Sequence, residues 1–263
     1  MAVRVGLASG ASPAATFPNS HLLEPRASLG AWAPPQQPRA LDELRRAVRE
    51  EDWARNYAES VTKIQMQAEW SASPERCAML QAMASASRAE RVLEIGSFCG
   101  AAALALAEVL PTGGEVLALE LDEYAASFAK RFQARSPSGH KVKHMVGPAV
   151  ASLRELAEAA AAGRCQPFDF VVVDADKECM EQYFDQLWST PGMLSEDAVV
   201  CVDLTPFKGQ PPLRYVKYGF PYQYQAESGQ KAIDALRASV AASPRFAAYE
   251  FGQMLVVKGK PAR

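Results

Sequence analysis

From Arg91 onwards the chain alternates between short apolar runs and longer amphipathic segments, and this alternation limits the fold more than any other feature. Five apolar runs predict β-strands, at 91–96, 115–120, 141–146, 168–174 and 198–203. The segments between them predict helices, at 101–110, 123–134, 149–162 and 178–188. Apolar strands joined by helical crossovers indicate a parallel sheet with helices on both faces. The sequence therefore predicts an α/β fold with a Rossmann-like, doubly wound sheet.

Two further strands are predicted near the C-terminus, after a helix at 228–241. They occupy 246–251 and 254–258, and the two residues between them are too few for a crossover, so these strands should pair antiparallel. Upstream of the sheet, the pattern at 41–58 predicts an amphipathic helix, and a second helix begins near Ser73, whose hydroxyl can cap it. These apolar N-terminal helices also offer a surface on which a homodimer could form.

The first forty residues differ in composition from the rest of the chain. They are rich in Ala, Ser, Gly and Pro, and no acidic residue precedes Glu24. Such a start is typical of an organellar transit peptide, but a disordered tail fits equally well. We therefore expect a tail at 1–40 and one folded domain at 41–263, located in the cytoplasm or, if the tail is a transit peptide, in an organelle.

The overall composition excludes several classes of protein. Lys and Arg number 28 against 30 Asp and Glu, a net charge of −2, whereas a nucleic-acid-binding protein usually shows a basic surplus. No apolar run approaches the ~18 residues of a membrane span. The five cysteines are scattered without a C-x-x-C pair, which argues against a zinc ribbon or a disulfide framework. Reduced thiols in a core are expected instead.

A glycine-bearing turn follows the first strand of the predicted sheet, and ligands of open α/β sheets bind at such strand ends. Glu94, Gly96 and Gly100 define the turn, which differs from the dinucleotide fingerprint G-x-G-x-x-G. Glu94 would repel a pyrophosphate and suits a cationic ligand instead. Glu120 ends the second strand, where it either takes both hydroxyls of a ribose or is a solvated charge. The pattern therefore indicates a nucleoside-type ligand that is not a dinucleotide.

Carboxylates also end the fourth and fifth predicted strands. Asp174 and Asp203 follow neighbouring apolar runs, so they can converge at one edge of the sheet. Two converging carboxylates bind a cation or share a proton, and oxygen ligands suit Mg²⁺ or Ca²⁺. Lys177 would lie at the rim of the same cleft, where it is either a general base or a surface lysine at the start of a helix.

These residues lie in a set of segments that resembles a known family. The segments are LEIGSFCGAAALALAEVLP, LALELD, GPAVASL, FDFVVVDADK and VCVD. They are similar to the class I S-adenosylmethionine-dependent O-methyltransferases, and most similar to the cation-dependent branch that includes the caffeoyl-coenzyme A and catechol O-methyltransferases. The resemblance covers about residues 70–260. It implies a seven-stranded sheet with an antiparallel last strand, and S-adenosylmethionine (SAM) as the cofactor.

The resemblance also implies roles for individual residues. Glu94, Gly96 and Ser97 would line the methionine and ribose side of SAM, and Glu120 would hold the ribose hydroxyls. Ala149 would present its backbone to the adenine, and Asp176 would bind the methionine ammonium.

For the reaction itself, the resemblance implies a metal-assisted transfer. Asp174 and Asp203 would ligate a divalent cation such as Mg²⁺, and Lys177 would take the proton of the acceptor hydroxyl. The acceptor would be a small, catechol-like aromatic whose neighbouring hydroxyls bind the metal.

The family normally has Asn as a third metal ligand, where this chain has Leu204. A metal-independent O-methyltransferase and a catalytically silent cofactor-binding protein are therefore alternatives. The tyrosine-rich segment 214–224 either walls the acceptor pocket or packs on the sheet.

Overall fold

The computed structural model describes residues 39–205 and 226–260. The tail at 1–38 lies outside the described residues, and so does the tyrosine-rich segment at 214–224. The interpretations of both segments remain predictions.

Within the described residues, the strands form one seven-stranded sheet in the order β3-β2-β1-β4-β5-β7-β6. Their bounds are β1 Arg91–Ile95, β2 Glu115–Glu120, β3 Val142–Val146, β4 Phe168–Val173, β5 Leu194–Asp203, β6 Phe246–Phe251 and β7 Met254–Gly259. Strands β1 to β5 pair in parallel, and β7 is antiparallel to both β5 and β6. The predicted α/β architecture and its antiparallel last strand are confirmed.

Eight α-helices accompany this sheet in the described part of the chain. They are α1 Arg39–Glu50, α2 Trp53–Ala58, α3 Pro74–Ala86, α4 Ala101–Val109, α5 Glu123–Gln133, α6 Ala149–Ala161, α7 Met180–Ser189 and α8 Ala226–Ala242. The prediction of a single helix at 41–58 is wrong, because Asp52 accepts a hydrogen bond from the Arg55 amide (3.0 Å) and caps a new helix. The predicted cap at Ser73 is confirmed, since its hydroxyl accepts a hydrogen bond from the Arg76 amide.

Both faces of the sheet are covered by helices, which explains why its strands are apolar at nearly every position. Leu93 and Ile95 of β1 pack in a cluster with residues of α6, α7 and α8. Val92, which precedes Leu93, belongs to the opposite cluster, with residues of α3 and α4. A third cluster joins α1, α2 and α5 to the glycine turn, where the Trp53 ring lies 5.2 Å from that of Phe98. This cluster fixes the turn at the carboxyl end of β1.

Two further expectations bear on the environment of the chain. All five cysteines are free and four of them are buried, as expected for reduced thiols in a core. Of the helices in the described ranges, none is both long enough and apolar enough to cross a membrane.

Candidate active site

A cavity of about 600 Å³ opens at the carboxyl ends of β1, β2, β4 and β5. It lies where an open α/β sheet binds its ligands. All nine residues with an expected catalytic, cofactor or metal role lie in its wall: Glu94, Gly96, Ser97, Glu120, Ala149, Asp174, Asp176, Lys177 and Asp203. The opposite wall comes from the segment before α3 and from α3 itself, including Met66, Trp70 and Met79.

The glycine turn between β1 and α4 is built for close approach between backbone segments. Gly96 has a φ of +85°, and a Cβ there would lie 2.4 Å from the carbonyl oxygen of Asp174. The amides of Gly96 and Ser97 both donate to the Leu119 carbonyl oxygen, each at 3.0 Å. Gly100, with a φ of +75°, caps α4. The turn is therefore held between the ends of β2 and β4, and only glycine fits at position 96.

The variant Gly96→Ala should lower the free energy of unfolding by about 3 kcal/mol, since left-handed backbone strain adds to overpacking against Asp174. Urea denaturation measures this loss. Gly113→Ala is the matched control, because a Cβ at Gly113 meets no atom within 4 Å. The control should change stability by no more than about 0.5 kcal/mol. Equal stability of the two variants would contradict the close approach at Gly96.

Glu120 is buried at the end of β2, and its carboxyl group is fixed on both sides. Its Oε2 accepts a hydrogen bond from the Phe98 amide at 2.6 Å, and its Oε1 accepts one from the Asp122 amide at 3.0 Å. Burial raises the pKa of Glu120 to about 7, although these amides act in the opposite direction. The carboxyl group therefore has a fixed orientation at the cavity wall.

Four residues of the cavity wall carry a buried side-chain atom without a hydrogen-bond partner among the described residues: Ser71, Arg76, Glu94 and Ser97. Two of these atoms, Oε2 of Glu94 and Oγ of Ser97, belong to residues that are only 2% and 5% exposed. Burial and the neighbouring Asp174 raise the pKa of Glu94 well above its usual range. A buried polar group without a partner costs about 1–3 kcal/mol, so this part of the wall is suited to a polar or cationic ligand. The residues fit a ligand such as SAM.

Asp176 is held at the entrance to α7 by two donors. Its Oδ1 accepts a hydrogen bond from the Tyr183 hydroxyl at 2.5 Å, and its Oδ2 accepts one from the Cys179 amide at 3.1 Å. Burial and Asp176 raise the pKa of Tyr183, so its phenol stays protonated and keeps donating. The Asp176 carboxylate is thus positioned before any ligand arrives.

Lys177 and two carboxylates meet at the ends of β4 and β5. The Lys177 Nζ donates to the backbone oxygen of Asp203 at 3.0 Å and to its Oδ2 at 2.9 Å, and lies 3.7 Å from Asp174 Oδ1. Lys177 is only 3% exposed, so the alternative of a surface lysine is wrong. Burial alone would raise the pKa of Asp203, but Lys177 and a second cation hold it well below its usual range.

That second cation is Arg76, which the sequence reasoning missed. Its Nη1 lies 2.6 Å from Asp203 Oδ1, and its Nη2 lies 3.2 Å from Asp174 Oδ2. Burial alone would lower the pKa of Arg76, but the two carboxylates raise it further above its usual range. The only signal in the sequence is the position of Arg76 in the first turn of a capped helix, and this does not reveal partners about a hundred residues away.

The residues at this position do not fit a divalent cation. Asp174 and Asp203 converge as predicted, but the Arg76 guanidinium lies against both of them. Leu204, at the place of a third oxygen ligand, is apolar and 1% exposed. Over the described ranges, no three His, Cys, Asp or Glu side chains are grouped as a metal site would need. We therefore do not assign metal-ligand roles to Asp174 and Asp203.

Comparison with known proteins places this site in a family. The sequence profile of a family described as O-methyltransferase matches residues 45–210, which is more than half of the chain. The chain belongs to this O-methyltransferase family. The match covers the glycine turn, the strand ends and Arg76, so most of the cavity wall described above lies within the matched region.

Named relatives match this O-methyltransferase chain over shorter segments. It is 41% identical to tricin synthase 1 from Oryza sativa subsp. japonica over 100 residues, which are 38% of this chain and 40% of that protein. It is 33% identical to catechol O-methyltransferase from Niastella koreensis over 128 residues, which are 47% of this chain and 55% of that protein. The chain thus spans about half the length of the curated relatives that it matches, or less.

Solved structures share the fold over most of the chain. The O-methyltransferase TomG from Streptomyces achromogenes, solved in complex with SAM, has a TM-score of 0.64 at 22% identity and covers 85% of this chain and 91% of its own. A methyltransferase from Podospora anserina bound to S-adenosylhomocysteine also has a TM-score of 0.64, at 21% identity, over 85% of this chain and 89% of its own. At these identities the likeness shows a common fold.

Proposed function

We propose that this chain transfers a methyl group from SAM to a hydroxyl group of a small aromatic acceptor. One observation carries the proposal: a single cavity joins the unpartnered polar atoms of Glu94 and Ser97 to the buried amine of Lys177. Its size is within the range of about 300–1,000 Å³ that is usual for small-molecule sites. Family membership and the named relatives support the same reaction.

The residues proposed to contact SAM lie along the cavity wall. Glu120 accepts hydrogen bonds from the ribose hydroxyls, and Asp176 binds the methionine ammonium. Glu94, Gly96 and Ser97 line the methionine and ribose side, and Ala149 presents its backbone to the adenine. When bound, SAM supplies a methyl carbon activated by a sulfonium, and an oxygen nucleophile accepts it as the neutral thioether is released.

The raised pKa of Glu120 predicts that cofactor binding depends on pH. Only the ionised carboxyl group can accept hydrogen bonds from the amides and the ribose at once, and it gains a proton as the pH falls through about 7. Affinity for SAM should therefore weaken about tenfold between pH 8 and pH 6. Isothermal titration calorimetry at both pH values measures this change.

Two variants isolate the contribution of Glu120. Glu120→Gln should bind SAM more weakly at pH 8 and lose the tenfold change. Glu108→Gln is the matched control, because burial also raises the pKa of Glu108 to about 7, yet Glu108 is outside the cavity wall. The control should keep the wild-type pH dependence. Loss of that dependence in the Glu108 variant would contradict the role of Glu120.

The acceptor side of the cavity supports an aromatic substrate. Met66, Trp70 and Met79 give this part of the wall apolar and aromatic surface, against which an aromatic ring can pack. The name of the Niastella relative, catechol O-methyltransferase, points to the same class of acceptor.

Lys177 is the proposed general base. In the resting site Lys177 pairs with Asp203 as an ammonium, so it must first release one proton to solvent. The free amine then takes the proton of the acceptor hydroxyl as the new oxygen–carbon bond forms, which restores the ammonium and leaves a methyl ether. Asp203 holds the amine in place through its backbone and side-chain oxygens. Fixing the nucleophile and its base in one cavity supplies the orientation that a displacement at carbon needs.

The proposal is tested with SAM labelled in its methyl group and a panel of mono- and dihydroxylated aromatics. We expect at least one acceptor to gain a single labelled methyl group, identified by mass spectrometry. A chain that binds SAM in calorimetry but labels no acceptor would support the alternative of a silent cofactor-binding protein. A chain that does not bind SAM would contradict the proposal altogether.

A further inference from the structure

The position between Asp174 and Asp203 already holds a positively charged group. The Arg76 guanidinium contacts one carboxylate through Nη1, at 2.6 Å, and approaches the other through Nη2, at 3.2 Å. A divalent cation that bound both carboxylates would need the same space. We propose that Arg76 is the resident cation of this site, and that the chain binds no divalent cation there.

The charges around Arg76 support this assignment. Arg76 and Lys177 each lie within ion-pair distance of both Asp174 and Asp203, so two positive charges already face the two carboxylates. A divalent cation would add two positive charges within a few ångströms of the buried Lys177 and the partly buried Arg76, and their repulsion would be strong in this partly dehydrated site. Since a guanidinium does not lose its proton in proteins, Arg76 cannot relieve that repulsion by becoming neutral.

Arg76 is also fixed in place by the helix that carries it. Ser73 caps α3, Pro74 occupies its first position, and Arg76 follows in the first turn. The helix is tied to α4 by the Gln81 side chain, which donates to the Ala105 carbonyl oxygen at 2.9 Å. Moving the guanidinium aside would therefore take away one of the two cations that pair with the buried Asp203 carboxylate, which is costly.

The side chain next to Asp203 offers a divalent cation no further ligand that would offset the cost of displacing Arg76. Leu204 follows Asp203 directly, is 1% exposed and offers no oxygen. The Nη2 of Arg76 lies 3.2 Å from Asp174 Oδ2 as an ion pair rather than a hydrogen bond, and Arg76 lines the cavity. The guanidinium therefore supplies positive charge at the place where a metal would otherwise supply it.

The test measures Mn²⁺ uptake by electron paramagnetic resonance, without cofactor or acceptor, since bound Mn²⁺ loses the sharp signal of the free ion. The wild-type chain should leave the signal unchanged. The double variant Arg76→Ala, Leu204→Asn removes the resident charge and restores a third oxygen, so it should take up one Mn²⁺ per chain. Adding Asp203→Asn to that variant should abolish the uptake.

Two outcomes would overturn the proposal. One is uptake of Mn²⁺ by the wild-type chain that disappears in Asp203→Asn. The other is a double variant that keeps the wild-type circular dichroism spectrum yet takes up no Mn²⁺. Because no methyl transfer is measured, a failure of the proposed activity leaves this result unaffected. The wild-type measurement alone can also overturn the proposal if the double variant does not fold.

Discussion

Replacing Lys177 with alanine or with arginine is expected to lower kcat for methyl transfer by about a thousandfold, the usual contribution of a general base being about 10²–10⁴. Alanine removes the amine. Arginine keeps the positive charge beside Asp203 but cannot lose a proton, so it separates the role of a base from that of a charge. Affinity for SAM should stay nearly unchanged in both variants, because the proposed cofactor contacts lie on other residues. Rates with labelled SAM, together with calorimetry, measure both quantities.

Lys143→Ala is the control for this prediction. Lys143 lies on β3, its side chain is 64% exposed, and it pairs with Glu115 away from the cavity. Its removal should leave both kcat and SAM affinity at wild-type values. If Lys177→Arg kept wild-type activity, Lys177 would act as a charge, and the proposed base would be contradicted.

Replacing Asp203 with asparagine is expected to lower the free energy of unfolding by about 3 kcal/mol at pH 7. The Asp203 side chain is 4% exposed and holds both Lys177, at 2.9 Å, and Arg76, at 2.6 Å. Removing the carboxylate charge leaves the buried Lys177 and the partly exposed Arg76 with one partner fewer. Breaking a buried ion pair usually costs about 3–5 kcal/mol, and the partial exposure of Arg76 places the expected loss at the lower end. Urea denaturation at pH 7 measures the loss.

The same variant has an expected pH signature. Lys177 and Arg76 hold the folded-state pKa of Asp203 below its unfolded value, so its contribution is fully present above about pH 4 and is lost as the pH falls further. The stability difference between the wild type and Asp203→Asn should therefore narrow on acidification. Asp197→Asn is the control, because Asp197 is 98% exposed, and it should match the wild type at every pH. A difference that did not narrow would contradict the ion pairs at Asp203.

The sequence was sufficient to predict the sheet and the residues at its edge. Strands buried on both faces are apolar at nearly every position, so β1, β2, β4 and β5 stand out, and the polar residues that end them are easily recognised. Parallel strands place these ends side by side. Glu94, Glu120, Asp174 and Asp203 could therefore be assigned to one cavity before any coordinates were known.

The sequence was not sufficient for contacts made by side chains from distant elements. Arg76 lies on a helix before the sheet, and nothing local to it indicates Asp174 or Asp203 as partners. The carboxylates of Asp174 and Asp203 suggested a metal ion. Two carboxylates indicate that a cation is nearby, but they do not show whether it is a metal ion or an arginine. Likewise, the amphipathic pattern at 41–58 continues through Asp52, although the side chain of Asp52 ends one helix and begins another.

The most direct test of the account as a whole is the initial rate of methyl transfer to an active aromatic acceptor, before and after divalent cations are removed with a chelator. If Arg76 supplies the positive charge and Lys177 takes the proton, the rate should be the same in both conditions, and added Mg²⁺ should not raise it. Loss of the rate on chelation, with recovery on adding Mg²⁺, would contradict the account, because the site would then need a metal that its residues do not fit.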